Sequence, residues 1–137
     1  MAEAHGVHIA VETHDELTRL EILLKLLDKL DLRIKVLYDV ANMILAGEKH
    51  EDVFPRIADR IVHVHMKDFV MVEGKRVPVR PGKGIVPICR VVEDLKLIGF
   101  QGYISIEWEK MWHPELEDPD TVIPLYIGFI KNCLMKA

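Results

Sequence analysis

The sequence predicts an α/β fold built on a parallel sheet, and three observations carry that prediction. Short runs of β-branched and apolar residues alternate with amphipathic stretches four times along the chain. Each separation between successive runs matches one strand-helix unit, and alternating units of this kind imply a parallel sheet with right-handed crossovers. Residues able to bind a metal recur at the ends of the runs, where parallel α/β folds keep their chemistry.

The elements follow in order. The first six residues read as the end of a helix closed by Gly6, and residues 7–13 as a strand. Residues 15–32 are helical, with Leu20, Leu23, Leu24, Leu27 and Leu30 on one side, and Thr13 or Asp15 is placed to cap the start. Residues 33–39 form a second strand. A loop through Gly47 follows, then a short helix over 52–60, with Pro55 tolerable only near its first turn. Residues 61–68 make the third strand. Within 70–79, the Glu73-Gly74-Lys75 centre suggests a small hairpin. Pro81-Gly82-Lys83-Gly84 is a turn-rich loop, and Pro87 opens a helix to Ile98 that Gly99 ends. Residues 102–109 form the fourth strand. Asp118-Pro119 starts the last helix, with Pro124 expected to delay its regular part.

Composition bounds the function. The 137 residues suffice for a single domain over 1–137 with a real core. Half are apolar, 29% are charged and the net charge is −4, an ordinary globular composition. The interspersed charges give no general affinity for nucleic acid or acidic membranes, and the apolar runs are too short to span a bilayer. No signal peptide is visible at the start, so the expected location is cytoplasmic. Cys89 and Cys133, far apart in sequence, are expected as two buried thiols.

The third strand places His63, His65 and Lys67 on one face, because alternate side chains of a strand point the same way. Polar groups on such a face are costly to bury unless something binds them. Across the chain each strand ends in a potential ligand: Glu12, Asp39, His65 and Glu107. Three carboxylates and one imidazole make a mostly hard site, suited to Mn²⁺, Co²⁺ or Mg²⁺, with Zn²⁺ also accommodated.

Several segments together resemble the C-terminal half of the xylose isomerase-like TIM barrels, the sugar phosphate isomerase/epimerase group. They are Gly6-Val7 through Val11-Glu12-Thr13-His14, Tyr38-Asp39-Val40-Ala41-Asn42, Ala46-Gly47-Glu48, His63 to Asp68, Gly82-Lys83-Gly84, and Gly99 through Glu107. The resemblance covers nearly the whole chain. It implies a (βα)4 half-barrel, corresponding to strands five to eight of an eight-stranded barrel. It also implies one divalent metal on Glu12, Asp39, His65 and Glu107, with Glu12 and Glu107 as the acid/base pair. The implied activity is metal-dependent isomerisation or epimerisation of a sugar or sugar phosphate, by proton transfer next to a carbonyl through an enediolate. Asn42 stands where those epimerases carry a histidine, and Met71 where they carry an arginine. Asn42 also sets the chain apart from the endonuclease IV branch, whose metal-hydrolase activity is a lesser alternative. A half-barrel that binds metal without turnover is the main alternative.

The remaining candidates are substrate-facing. His14 follows Glu12 by two, Asn42 follows Asp39, Lys67 is placed for a substrate oxygen or phosphate or for pairing with Asp68, and Glu109 lies on the Glu107 face. Lys83 belongs to a basic loop with Lys75, Arg76 and Arg80, where glycines permit close backbone approach. Trp108 and Trp112 are expected to pack. A whole TIM barrel needs about 250 residues, so four units would leave an open apolar face. Self-association into a homodimer that closes the barrel would cover it, and the alternatives are a fragment of a longer protein with its N-terminal half missing and a natural half-barrel.

Overall fold

A computed structural model describes residues 5–136. β1 (Ile9–Glu12), β2 (Ile34–Asp39), β3 (Ile61–Met66) and β6 (Tyr103–Ile106) form one sheet in the order β1-β2-β3-β6, parallel from β1 through β3. A hairpin of β4 (Asp68–Val72) and β5 (Lys75–Val79) follows β3. The helices are α1 (Leu20–Leu27), α2 (Val40–Leu45), α3 (His50–Ile57), α4 (Ile88–Leu97) and α5 (Pro119–Lys136). The parallel α/β prediction holds. The reading of the first residues as a helix end lies largely outside the described residues, although Gly6 does take a positive φ of 66°.

The chain divides into two compact units. The first, within Met1–His65 and Gln101–Ser105, holds the sheet and α1 to α3. One face of its strands carries Val36, Tyr38 and Val64, all fully buried. The core of this unit also holds Leu23, Met43 and Ile57. Tyr38 joins β2 to α3 through a 3.1 Å hydrogen bond between its hydroxyl and His50 Nδ1. The opposite face carries Glu12, Leu37, Asp39, His63 and His65, as the β1-β2 and β2-β3 registers and the strand alternation require. Of these only Asp39 is buried.

The second unit, within Met66–Phe100 and Ile106–Ala137, holds the hairpin, α4 and α5. The hairpin turn is Glu73-Gly74, with φ of 49° and 77°, the two positive values of a type I′ turn. Val91, Val92, Leu95 and Ile130 form the apolar layer of α4 and α5. A disulfide between Cys89 and Cys133 joins these two helices, with Cα atoms 5.0 Å apart. This corrects the expectation of two separate thiols. Linear separation in sequence hid the fact that the two helices bring these positions together.

Other expectations need correction. The first helix is shorter than 15–32, because a 3-10 turn over Asp15–Thr18 ends at Arg19 in extended backbone before α1 begins. Neither Thr13 nor Asp15 caps it; the Leu20 N–H instead donates to Glu48 Oε1 at 2.9 Å. The stretch after Asp39 is helix α2, not loop, and Asp39 caps it by accepting from the Asn42 N–H. α3 begins at His50, so Pro55 lies beyond the first turn, and α5 runs continuously through Pro124. Both prolines are exposed, as are Glu51 and Asp120 four residues earlier, whose carbonyls can turn to water.

Candidate metal and proton-transfer site

β1 ends on Glu12 and β2 on Asp39, and His65 is the next-to-last residue of β3. Glu12, Asp39 and His65 offer ligand atoms that lie within 4.8 Å of one another. His65 Nδ1 is 3.2 Å from Glu12 Oε1. The Asp39–His65 alignment depends on a register shift. Val36 stands beside Ile61 but Leu37 beside His63, so Val62 is an extra residue in β3. Were Val62 kept in register instead, Asp39 would pair with Val64, and His65 would point to the other face.

The backbone at Asp39 is held from β1. Thr13, fully buried, accepts from the Asp39 N–H at 2.8 Å and donates to the Asp39 carbonyl at 3.1 Å. Its own N–H donates to the Leu37 carbonyl at 3.1 Å. Asp39 Oδ1 accepts from the Asn42 N–H at 2.9 Å, which fixes the carboxylate at the start of α2. His63 is not placed as a ligand beside His65. Its Nε2 bonds Ser105 Oγ at 2.7 Å and its ring meets His65 edge-on at 5.5 Å.

The second unit carries a chain of alternating charges. Lys67, only 7% exposed, pairs with Glu107 Oε2 and lies 3.9 Å from Glu109 Oε1. Glu109 Oε2 in turn accepts from Arg76 on β5 at 2.5 Å. Glu107 follows the last residue of β6, and its N–H donates to the Met66 carbonyl at 3.1 Å. Lys67, Arg76, Glu107 and Glu109, with Asp68, Phe69 and Pro78, line a small recess.

Lys67 therefore does not pair with Asp68, one of the two roles expected for it. Asp68 is buried and accepts three backbone N–H groups, from Phe69 at 2.9 Å, Gly84 at 2.9 Å and Val86 at 3.1 Å. A Cβ at Gly84 would collide with the Asp68 carboxylate and the Phe69 carbonyl, so the close approach itself requires glycine. The Tyr126 hydroxyl completes this corner, accepting from the Asp68 N–H and donating to the Val79 carbonyl, both at 2.8 Å. Burial pushes the Tyr126 phenol above its usual range.

The other expected residues are more dispersed. His14 is exposed and pairs with Asp15 at 3.1 Å. The Asn42 side chain donates to the Thr13 carbonyl at 3.4 Å. Lys83 is exposed. The basic loop is largely offset by acids, since Arg80 pairs with Glu117 and holds that carboxyl below its ordinary range. Trp108 lies tilted against Tyr126 at 6.4 Å, but Trp112 is 75% exposed and does not pack as expected. Thr13 and Asp68 were absent from the sequence-derived site. A hydroxyl beside a strand-end acid is a signal for the first, but long-range bonds to backbone leave none in composition or spacing.

Two carboxylates and an imidazole converging at strand ends fit a divalent cation, because all three can act as lone-pair donors and the two acids supply charge to match. The fold places the chain among the parallel α/β proteins of the TIM-barrel class. The chain belongs to the xylose isomerase-like TIM barrel family, whose description matches residues 1–133. An inosose dehydratase from Geobacillus thermodenitrificans is 26% identical over 131 residues, covering 84% of this chain and 41% of that protein. The solved xylose isomerase domain protein from Planctomyces limnophilus is 25% identical, with a TM-score of 0.73, over 99% of this chain and 49% of that one. The solved L-ribulose 3-epimerase is 17% identical, with a TM-score of 0.74, over 98% of this chain and 49% of that one. The chain thus spans about half the length of the relatives it matches.

Proposed function

We propose that this chain is half of a divalent-metal-dependent isomerase or epimerase, corresponding to strands five to eight of the barrel and acting on a sugar or sugar phosphate. Glu12, Asp39, His65 and Glu107 hold the ion. The single observation that carries this reading is the convergence of Glu12, Asp39 and His65 at three neighbouring strand ends. Support for Glu107 as the fourth comes from alternation: Ser105 bonds His63 from the neighbouring strand, and Glu107 lies two residues further along, as His65 does from His63.

A divalent ion such as Mn²⁺, Co²⁺, Mg²⁺ or Zn²⁺ would supply Lewis acidity to a carbonyl and its neighbouring oxygen. The proton work falls to the chain. Glu12 and Glu107 come from the two outer strands of the row, and so can serve opposite sides of a substrate. One carboxylate takes the proton from the carbon beside the carbonyl, and the other returns a proton on the far side. Lys67 and Asn42 are assigned to substrate oxygens, with His14, Lys83 and Glu109 at the periphery.

Dehydration is the second reading, favoured by the sequence likeness to inosose dehydratase. It shares the first proton abstraction and then expels a hydroxyl from the next carbon. One experiment separates the two. Ketoses, their phosphates and an inosose are incubated with the metal-loaded protein in D₂O and followed by NMR and mass. Deuterium at the carbon beside the carbonyl supports the proton-transfer reading; a new epimer or isomer marks the first form and loss of water the second. Absence of deuterium from every compound sinks both and leaves a half-barrel without turnover.

The open sheet also needs a partner. β1 and β6 are edge strands, and Ile9 and Tyr103 on them are 54% and 78% exposed. We propose that a second copy closes the barrel as a homodimer. Light scattering that gives the monomer mass at every concentration removes this arrangement.

A further inference from the structure

We infer that Lys67 is a built-in counter-cation for Glu107, weakening the site's hold on a divalent ion and sustaining the fold when the ion is absent. The inference rests on the metal reading above. Lys67 is 7% exposed, so solvent and salt screen its pairing with Glu107 far less than a surface pair. The order Glu107, Lys67, Glu109, Arg76 alternates in sign along one connected network. In this arrangement every carboxylate has an adjoining cation without any metal.

That balance opposes metal binding. A carboxylate that serves a divalent ion must share its charge with the ammonium already beside it, and the two cations repel. The Arg76–Glu109 pair holds the far side of the network at 2.5 Å, which restrains Lys67 from withdrawing. In this role Lys67 acts through Glu107 and sets the ease with which the ion enters and leaves. It differs from a ligand, which would strengthen binding.

The test uses the full chain stripped of metal by chelation. Lys67→Met retains a linear stem of similar length and removes the charge. Calorimetric titration with Mn²⁺ and Zn²⁺ is expected to show roughly tenfold tighter binding than wild type, from loss of a nearby like charge. In chelator the variant is expected to melt lower than wild type, and added metal is expected to raise its melting temperature by a larger step. Lys67→Arg keeps the charge and is expected to bind within about threefold of wild type. Arg76→Met, one link removed from Glu107, is expected to have a smaller effect than Lys67→Met.

If Lys67→Met folds only after metal is added, the inference stands, and Lys67→Gln supplies the titration. Unchanged or weaker affinity in a folded Lys67→Met or Lys67→Gln overturns the inference while leaving the metal reading intact. A wild-type chain that binds neither ion overturns the metal reading, and this inference with it.

Discussion

The Thr13 hydroxyl accepts a hydrogen bond from the Asp39 N–H and donates one to the Asp39 carbonyl, at 2.8 and 3.1 Å. One side chain at the end of β1 thus grips both backbone groups of the residue that ends β2. Thr13→Val preserves shape but leaves a buried N–H and C=O without that partner. It is expected to cost about 1–3 kcal/mol in denaturant unfolding. If Asp39 is a ligand, the same variant should also bind divalent metal more weakly.

Tyr126 makes the equivalent join in the second unit, between the Asp68 N–H and the Val79 carbonyl. Tyr126→Phe is expected to lose about 1–3 kcal/mol near neutral pH. Burial holds the folded-state phenol above the ordinary value of about 10. Its contribution is therefore complete below that pH and is lost as pH rises toward the folded-state value, because the unfolded chain releases the proton first. Tyr126→Phe should flatten the alkaline fall in stability measured by urea melts. Part of the fall should remain, since burial raises the Tyr38 phenol as well.

Gly84 is fixed by contact with Asp68 rather than by turn geometry. Gly84→Ala puts a methyl group into the space of the Asp68 carboxylate and the Phe69 carbonyl. The expected loss is about 1–3 kcal/mol from displaced backbone and weakened N–H bonds to Asp68. Gly74→Ala provides the contrast: its Cβ meets nothing, so only the positive φ opposes it. Thermal melts should rank Gly84→Ala as the more damaging.

The Cys89–Cys133 disulfide closes a loop of 44 residues of sequence separation. Chain-entropy reasoning gives it at most about 4 kcal/mol, by restricting the unfolded chain. Alkylation of the denatured, unreduced protein should leave both cysteines unlabelled, and reduction should lower the melting temperature. Labelling of both cysteines without reductant would show that the bond does not form in solution.

Much of this architecture is legible locally. The βα alternation, the Glu73-Gly74 turn and the α4 stop at Gly99 follow from short-range chemistry, and the strand-end acids stand out by their recurrence. Other features depend on partners far away in sequence. α2 has only six residues and little amphipathic signal, and its start is capped by the same Asp39 proposed as a ligand. The α1 start is set by Glu48, 28 residues away. Pro55 and Pro124 mark breaks in sequence but sit on exposed helix faces where a missing bond is tolerated. The Lys67–Glu107 pairing spans 40 residues and a strand crossover, so spacing gave no notice of it.

The central claim is a single divalent ion held by Glu12, Asp39, His65 and Glu107. The direct measurement is titration of the metal-stripped protein with Mn²⁺, Co²⁺ and Zn²⁺, with elemental analysis after dialysis. The expected result is a single ion per chain in wild type, with Asp39→Asn and Glu107→Gln each weakening binding by at least about tenfold. No bound ion in the wild type, or the same affinity in all three proteins, would contradict it.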